Sequence, residues 1–121
     1  MKRIIIAGGR DFNNMEILRN ALEVNTTGLM ANTLQIVSGG ARGADSLGER
    51  LAREHRTNLA VFPAQWEQHG KSAGYIRNEL MAQNADMLIA FWDGQSRGTE
   101  HMINLARKYQ LEVHIVNYKQ E

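Results

Sequence analysis

Residues 34–54, LQIVSGGARGADSLGERLARE, contain three successive patterns that decide the fold. Residues 34–37 are a short apolar, β-branched run, residues 38–45 are rich in glycine, and Leu47, Leu51 and Ala52 recur at helical spacing. The patterns predict a strand, a tight loop and a helix. Three glycines within five residues allow positive φ angles and close approach of the backbone to a ligand. The N–H groups that begin such a helix suit an anion, above all phosphate; the alternative is a tight connection that binds nothing.

Four more apolar runs, at residues 3–7, 58–62, 86–91 and 111–116, alternate with helical patterns along the chain. Their continuous apolar character is typical of strands that are buried on both faces. Alternating strands and helices favour a parallel, doubly wound α/β sheet of about five strands, with helices on both faces.

The predicted helices differ in how well the sequence defines them. Asn13 or Asn14 is the expected N-cap of the first helix. Residues 74–84 predict a later helix whose apolar side holds Ile76, Leu80 and Met81. The polar residues 64–73 have no periodicity and are predicted to be the longest loop.

Composition limits the classes of protein to which the chain can belong. The 121 residues, 43% hydrophobic and with one proline, suit a single domain that spans residues 1–121. Cysteine is absent, which excludes disulfides, and the apolar run at the N-terminus is too short for a signal peptide or a membrane span. A cytoplasmic protein with no membrane partner is expected. The net charge of +1 makes nucleic acid an unlikely partner, because a strongly basic surface is missing.

The loops that follow the predicted strands contain the candidate ligand-binding residues. In an open parallel sheet, ligands bind beyond the carboxyl ends of the strands, so these loops are expected to meet at one edge. The candidates are Gly8, Gly9, Arg10, Asp11, Ser38, Gly39, Gly40, Arg42, Gly43, Asp45, Trp66, Arg77, Asn78, Trp92, Gly94, Ser96, Gly98 and Thr99.

Two of these loops, residues 38–45 and 94–99, suit phosphate groups. Arg42 and Arg97 either add positive charge there or lie on the solvated surface. Arg77 is a stronger candidate, because it lies near the start of a helix after a glycine-containing segment and its planar fork suits phosphate or carboxylate. The alternative for Arg77 is an ion pair on the helix surface.

Other polar and aromatic candidates have two interpretations each. Asp45 either caps the second helix or accepts a hydrogen bond from a ribose hydroxyl. Trp66 and Trp92 follow strand ends, where an aromatic ring stacks on a base or covers the sheet edge. His69 and His101 form no metal-ligand spacing, so no metal and no cofactor are expected. The phosphate-binding pattern G-x-x-x-x-G-K-[ST] and the dinucleotide pattern G-x-G-x-x-G are both absent.

Several motifs resemble the SLOG superfamily, which joins the DNA-processing protein DprA with the LOG phosphoribohydrolases. Residues 38–45, SGGARGAD, are similar to the DprA motif, and residues 77–91 are similar to the LOG segment that begins with an Arg. The whole chain is most similar to small YspA-type SLOG proteins, through residues 8–12, 38–45, 73–78 and 96–99. This resemblance implies a three-layer Rossmann-like fold that binds a nucleotide or nucleotide-derived ligand, such as an ADP-ribose-like or NAD-like molecule or a nucleoside phosphate. It also implies a homo-oligomer, since SLOG relatives are often dimers or larger assemblies.

The resemblance to LOG enzymes suggests an alternative activity, hydrolysis of the N-glycosidic bond of a nucleoside monophosphate. Arg77 matches the LOG arginine, but His101 and Met102 occupy the positions of the LOG glutamate pair. Glu100 is the nearest carboxylate, and it is one position too early, which turns its side chain by about 100° on a helix. Arg77 and Glu100 are therefore the candidate catalytic residues only if the protein is an enzyme, with Asp93 or Glu67 as replacements for Glu100. Binding of single-stranded nucleic acid, as in DprA, is a second alternative, which the near-neutral charge disfavours.

Overall fold

The computed structural model describes residues 1–119. Its strands are β1 (Lys2–Gly8), β2 (Leu34–Ser38), β3 (Asn58–Val61), β4 (Met87–Phe91) and β5 (Glu112–Val116). Its α-helices are α1 (Met15–Asn25), α2 (Ala44–Glu54), α3 (Trp66–His69), α4 (Ala73–Gln83) and α5 (Arg97–Lys108), and short 3₁₀ turns occupy Ala31–Thr33 and Gly70–Ser72. None of the helices within residues 1–119 has the length and apolar character needed to cross a membrane.

The five strands form one sheet in the order β3-β2-β1-β4-β5, and every neighbouring pair is parallel. The predicted α/β fold with a doubly wound sheet is therefore confirmed. The chain moves outward from β1 to β3 in one direction and then returns to add β4 and β5 on the other side of β1. Strand order thus reverses between β1 and β4, the place where open α/β sheets form their ligand crevice.

The central strand β1 is buried on both faces of the sheet. Ile4 and Ile6 pack in a core cluster with residues of α1 and α2, whereas Ile5 and Ala7 pack in a second cluster with residues of α4 and α5. Alternate residues of a strand point to opposite faces, so one apolar run supplies both cores. This explains why β1 reads as a continuous apolar sequence rather than an alternating one.

The structure corrects two expectations about residues 64–84. The predicted loop contains α3 and a 3₁₀ turn, and the N–H groups of Gln68 and His69 both bond the Gln65 carbonyl oxygen. A four-residue helix is too short to leave a periodic pattern.

The apolar side expected for α4 is confirmed for Met81 but wrong for Ile76 and Leu80, which are 38% and 46% exposed. The helix buries Met81 together with Ala73, Asn78 and Ala82. Alanines carry little weight in a hydrophobic pattern, yet their small side chains allow a helix to lie close to a sheet, so the larger exposed side chains misled the interpretation.

Capping of α1 provides a test of the local structure. The Asn14 side-chain oxygen accepts a hydrogen bond from the Ile17 N–H at 3.1 Å, which makes Asn14 the N-cap. We expect Asn14→Ala to lower the free energy of unfolding by about 1 kcal/mol, because one N–H of the first turn loses its partner. Asn13→Ala, which removes a neighbouring exposed Asn, is the matched control and should change it by less than about 0.5 kcal/mol. The free energies of unfolding are measured with urea, and equal losses in the two variants would show that Asn14 is not the N-cap.

Candidate functional site

A cavity of about 510 Å³ lies at the carboxyl edge of the sheet, beyond the ends of β1 and β4. The loops after β1, β2 and β4 contribute to its wall, together with the second and third turns of α4 and the first two turns of α5. Its lining residues are Ala7, Gly8, Gly9, Arg10, Asp11, Ala41, Asp45, Arg77, Asn78, Met81, Asp93, Ser96, Gly98, Thr99 and Met102. We call this space the main cavity.

Two glycines allow the loops to approach each other closely. A Cβ at Gly8 would lie 2.5 Å from the Phe91 carbonyl oxygen, so no side chain fits between the ends of β1 and β4. Gly43 has a φ of +80°, and a Cβ there would overlap the Gly9 carbonyl oxygen. The loop after β2 therefore rests directly on the loop after β1, and glycine is required at this contact.

Asp45 holds the loop after β2 in shape. One carboxylate oxygen accepts hydrogen bonds from the Gly39 N–H at 3.0 Å and the Ala41 N–H at 3.4 Å. Asp45 does not cap α2, because Gly43 occupies the N-cap position. Burial raises the pKa of Asp45 to about 6, against the opposing effects of the two N–H groups and the nearby Arg77 charge. Asp45 is therefore a carboxyl group that changes its protonation state near neutral pH.

Arg77 joins α4 to the same loop. Its Nη1 donates a hydrogen bond to the Gly39 carbonyl oxygen, and its Nε donates one to Asn78 Oδ1 at 2.9 Å. The half-buried guanidinium has no carboxylate within 4.0 Å among residues 1–119, so it does not form the ion pair considered as an alternative. Burial lowers the Arg77 pKa and the Asp45 charge opposes this, but an arginine retains its proton at physiological pH.

Asn78 extends this network to α5. Its side-chain amide lies 3.1 Å from His101 Nδ1 and 3.5 Å from the Gly98 carbonyl oxygen. An Nδ1 that accepts this hydrogen bond carries no proton, so the imidazole is then neutral. Burial also favours the neutral imidazole, because it lowers the His101 pKa. The Tyr75 ring packs edge-on against His101, with 4.5 Å between ring centroids. Asn78 and His101 are 23 residues apart, and no local pattern in the sequence connects them.

The loop after β4 is built around Asp93, which lines the main cavity. Its Oδ1 accepts hydrogen bonds from the N–H groups of Gln95 and Ser96, both at 2.8 Å, and these bonds lower the Asp93 pKa. Trp92 donates its indole N–H to the Ser96 carbonyl oxygen at 3.0 Å and packs against the core on the α4 and α5 side. Trp92 thus fixes this loop to the core, and the ionised carboxylate of Asp93 lines the cavity.

The C-terminal segment supports the loop after β1. The Tyr118 hydroxyl donates to Asp11 Oδ1 at 2.6 Å, and Lys119 Nζ lies 2.8 Å from Asp11 Oδ2. The hydrogen bonds from Lys119 and Tyr118 lower the Asp11 pKa. The Tyr118 ring also packs against Phe12, and its hydroxyl occupies the space that a Cβ on Gly9 would need. The sequence patterns did not identify this support, since the residues lie at opposite ends of the chain.

The structure brings most of the candidate ligand-binding residues together. Ten line the main cavity: Gly8, Gly9, Arg10, Asp11, Asp45, Arg77, Asn78, Ser96, Gly98 and Thr99. A second, adjoining cavity of about 320 Å³ is lined by Gly39, Gly40, Arg42 and Trp66, along with Arg10, Ala41, Pro63, Ala64 and Arg77. The sequence patterns did not single out Ala7, Ala41, Met81 and Met102, which line the main cavity without carrying a polar side chain.

Seven candidates lie outside both cavities: Ser38, Gly43, Glu67, Trp92, Gly94, Arg97 and Glu100. Ser38 is fully buried, and its hydroxyl donates to the Glu49 carboxylate at 2.6 Å. Glu100 is exposed in the first turn of α5. Within residues 1–119, no three His, Asp or Glu side chains are grouped so that they could hold a metal ion.

This fold and this cavity are those of a Rossmann-like protein that has a polar site at its topological switch point. The chain belongs to the YAcAr family, described as the YspA, cpYpsA-related SLOG family, whose model matches residues 2–69. It is similar to the Gene 61 protein of Mycobacterium phage D29, with 36% identity over 119 residues that cover 93% of this chain and 94% of the relative.

Two solved structures have the same fold. DNA processing protein A (DprA) from Streptococcus pneumoniae matches with a TM-score of 0.69 and 18% identity, over 94% of this chain and 49% of DprA. This chain thus spans about half the length of DprA. The structural-genomics target TM1055 matches with a TM-score of 0.67 and 20% identity, over 93% of this chain and 72% of TM1055. The resemblance to the SLOG superfamily is confirmed, and membership supports a nucleotide-related binding or processing role in broad terms.

The raised pKa of Asp45 leads to a test of its environment by pH. The folded pKa of about 6 exceeds the reference value of 3.8, so between these values the folded state binds more protons than the unfolded state. The contribution of Asp45 to stability is therefore present at low pH and is lost as pH rises through about 6. Asp45→Asn is a neutral mimic of the protonated acid. Its free energy of unfolding should therefore increase relative to that of the wild type as the pH rises from 3.8 to about 6, by up to about 3 kcal/mol.

The measurement is urea unfolding of both proteins between about pH 4 and pH 7. The other carboxylates are common to both proteins, so their contributions cancel in the difference. If the difference in the free energy of unfolding between the two proteins is the same at every pH, Asp45 does not have a raised pKa.

Proposed function

We propose that this chain is a binding or sensor module for a small nucleotide-derived ligand, either a nucleoside phosphate or a molecule similar to ADP-ribose or NAD. The observation that supports this most is the Arg77 guanidinium in the wall of the main cavity. It is held in place by Gly39 and Asn78 and has no carboxylate partner among residues 1–119. A preorganised arginine in a concave site is suited to the charge-assisted recognition of a phosphate.

The surroundings of Arg77 agree with this proposal. The volume of about 510 Å³ is within the range of small-molecule sites. The backbone of Gly98 contributes to the wall, and the space that a Cβ would take there is open, so that a ligand can approach the main chain. Ser96 and Thr99 place their hydroxyl oxygens 3.2 Å apart at the start of α5, where an anion is favoured.

Arg77→Ala tests this proposal directly. We expect the wild type to be stabilised in thermal-shift assays by at least one of AMP, ADP, ADP-ribose or NAD, with the ligand recovered intact. Arg77→Ala should weaken the affinity for that ligand by about tenfold or more, because a charge-assisted hydrogen bond is lost. Arg107→Ala, which removes an exposed arginine outside both cavities, is the matched control and should bind like the wild type.

Affinities should be measured by calorimetry, which separates a loss of binding from a loss of stability. If none of the four compounds binds to the wild type, or if Arg77→Ala binds as well as Arg107→Ala, the proposal is wrong.

A second candidate function is hydrolysis of the N-glycosidic bond of a nucleotide, and one observation favours it. Asp45 and Asp93 both line the main cavity, and their environments move their pKa values in opposite directions. Two carboxyl groups separated in this way suit an acid that protonates a leaving base and a carboxylate that stabilises the positive charge developing on the sugar. Glu100, the carboxylate first considered for this role, is exposed and outside the cavity.

Turnover by two variants distinguishes these carboxylates. If the protein releases free base from a nucleoside monophosphate, Asp93→Asn should lower the rate by about a hundredfold or more, because the ionised carboxylate is lost. Glu100→Gln should retain the rate of the wild type. The released base is measured by liquid chromatography. Loss of turnover in Glu100→Gln with normal turnover in Asp93→Asn would reverse the assignment.

A further inference from the structure

The main cavity adjoins the second cavity, which we call the arginine cavity. Three residues, Arg10, Ala41 and Arg77, belong to the walls of both. Arg42 and Trp66 belong to the arginine cavity alone. A ligand that reaches Arg77 from the main cavity can therefore extend past it without leaving the protein surface.

The two cavities differ in charge. The main cavity is lined by the carboxyl groups of Asp11, Asp45 and Asp93 as well as by two arginines. The arginine cavity is lined by three arginines, and no carboxylate of residues 1–119 lines it. A phosphoryl group beside Arg77 is therefore attracted more strongly on the side of the arginine cavity, where three guanidinium groups act on it, than on the side of the ionised Asp93. Sugar hydroxyls, which donate hydrogen bonds, suit the carboxylates of the main cavity.

Among residues 1–119, the three arginines of the arginine cavity form no ion pair with a carboxylate, a property that they share with Arg56, Arg97 and Arg107. Four surface arginines, Arg3, Arg19, Arg50 and Arg53, each form an ion pair with an Asp or Glu. Within residues 1–119, no carboxylate lies within 4.0 Å of Arg10 or Arg42. The same holds for Arg77, whose Nη1 and Nε bond neutral acceptors. Three unpaired guanidinium groups around one space of about 320 Å³ leave a strong positive potential there.

We propose that the arginine cavity is a subsite for a second phosphoryl group, so that the preferred ligand is a nucleotide with two linked phosphates rather than a nucleoside monophosphate. This inference rests on the proposed function. The phosphates lie along Arg77 and Arg42, and the ribose hydroxyls face Asp11 and Asp93 in the main cavity. Because Arg42 lines the arginine cavity alone, it determines the preference for a second phosphate. Arg77 lines both cavities, so it contributes to the binding of nucleotides with one phosphate and of nucleotides with two.

Trp66 provides a reporter for this subsite. It is 58% exposed and lines the arginine cavity, whereas Trp92 lies outside both cavities. A ligand that fills the arginine cavity changes the surroundings of the Trp66 ring, and its fluorescence should respond. The response to a diphosphate should disappear in Trp66→Phe and remain in Trp92→Phe.

The test compares AMP, ADP and ADP-ribose as probes by calorimetry. We expect ADP and ADP-ribose to bind the wild type about tenfold more tightly than AMP, as one added charge-assisted contact predicts. Arg42→Ala should reduce this preference to about threefold or less while the affinity for AMP stays unchanged. Arg107→Ala, the matched control, should retain the full preference. Arg42 is exposed, so its removal should leave the thermal stability of the free protein unchanged.

The outcomes separate this inference from the proposed function. The proposal of a second-phosphate subsite is wrong if AMP binds as tightly as ADP and ADP-ribose, or if Arg42→Ala weakens the binding of all three probes equally. In either case the proposed nucleotide site stands. If none of the three probes binds, this inference is wrong, and the proposed function is wrong as well when NAD also fails to bind. If a single-stranded oligonucleotide binds more tightly than every probe, with an affinity that falls steeply with salt and is lost in Arg42→Ala, the arginines serve a nucleic acid and the proposal is overturned.

Discussion

The candidate site depends on the hydrogen bond from Arg77 to the Gly39 carbonyl oxygen. Arg77 lies on α4, which packs on one face of the sheet, whereas Gly39 directly follows β2 in the loop that leads to α2 on the other face. The guanidinium therefore reaches across the carboxyl edge of the sheet and joins the two layers of helices. No carboxylate of residues 1–119 pairs with it directly, and Asp45 acts on its charge from a greater distance, so the guanidinium keeps the wall beside the crevice polar and positively charged.

The same arrangement gives three aspartates different chemical properties. Asp45 is buried, and its pKa is raised to about 6. Asp93 and Asp11 are near the solvent, and donors from the backbone or from the C-terminal segment lower their pKa values. Environment, rather than residue type, thus decides which carboxyl group holds a proton and which accepts hydrogen bonds as an anion. The site combines charged arginines, ionised carboxylates and a carboxyl group that titrates near neutral pH.

Local patterns predicted much of the fold because they reflect local energetics. The glycine-rich segment between β2 and α2 was recognised since a tight turn needs positive φ at Gly40 and Gly43, which other residues rarely adopt. The short helix α3 and the buried face of α4 were not recognised. Rotation of α4 about its axis is decided by how its alanines and Asn78 fit against the sheet and α5, and a hydrophobic pattern contains no information about that fit.

The sequence by itself determined the type and order of the main elements, the parallel sheet and the placement of glycine loops after the strands, because these follow from periodicity and backbone preference within a few residues. Only the tertiary structure decided which loop residues share a cavity. In the folded protein, Trp92 packs against the core, Trp66 lines the arginine cavity and Glu100 is exposed. Asp11 and Tyr118, which lie near opposite ends of the chain, form a hydrogen bond. The physical reason is that these positions depend on contacts between residues far apart in sequence, which form only when the sheet and its helices pack together.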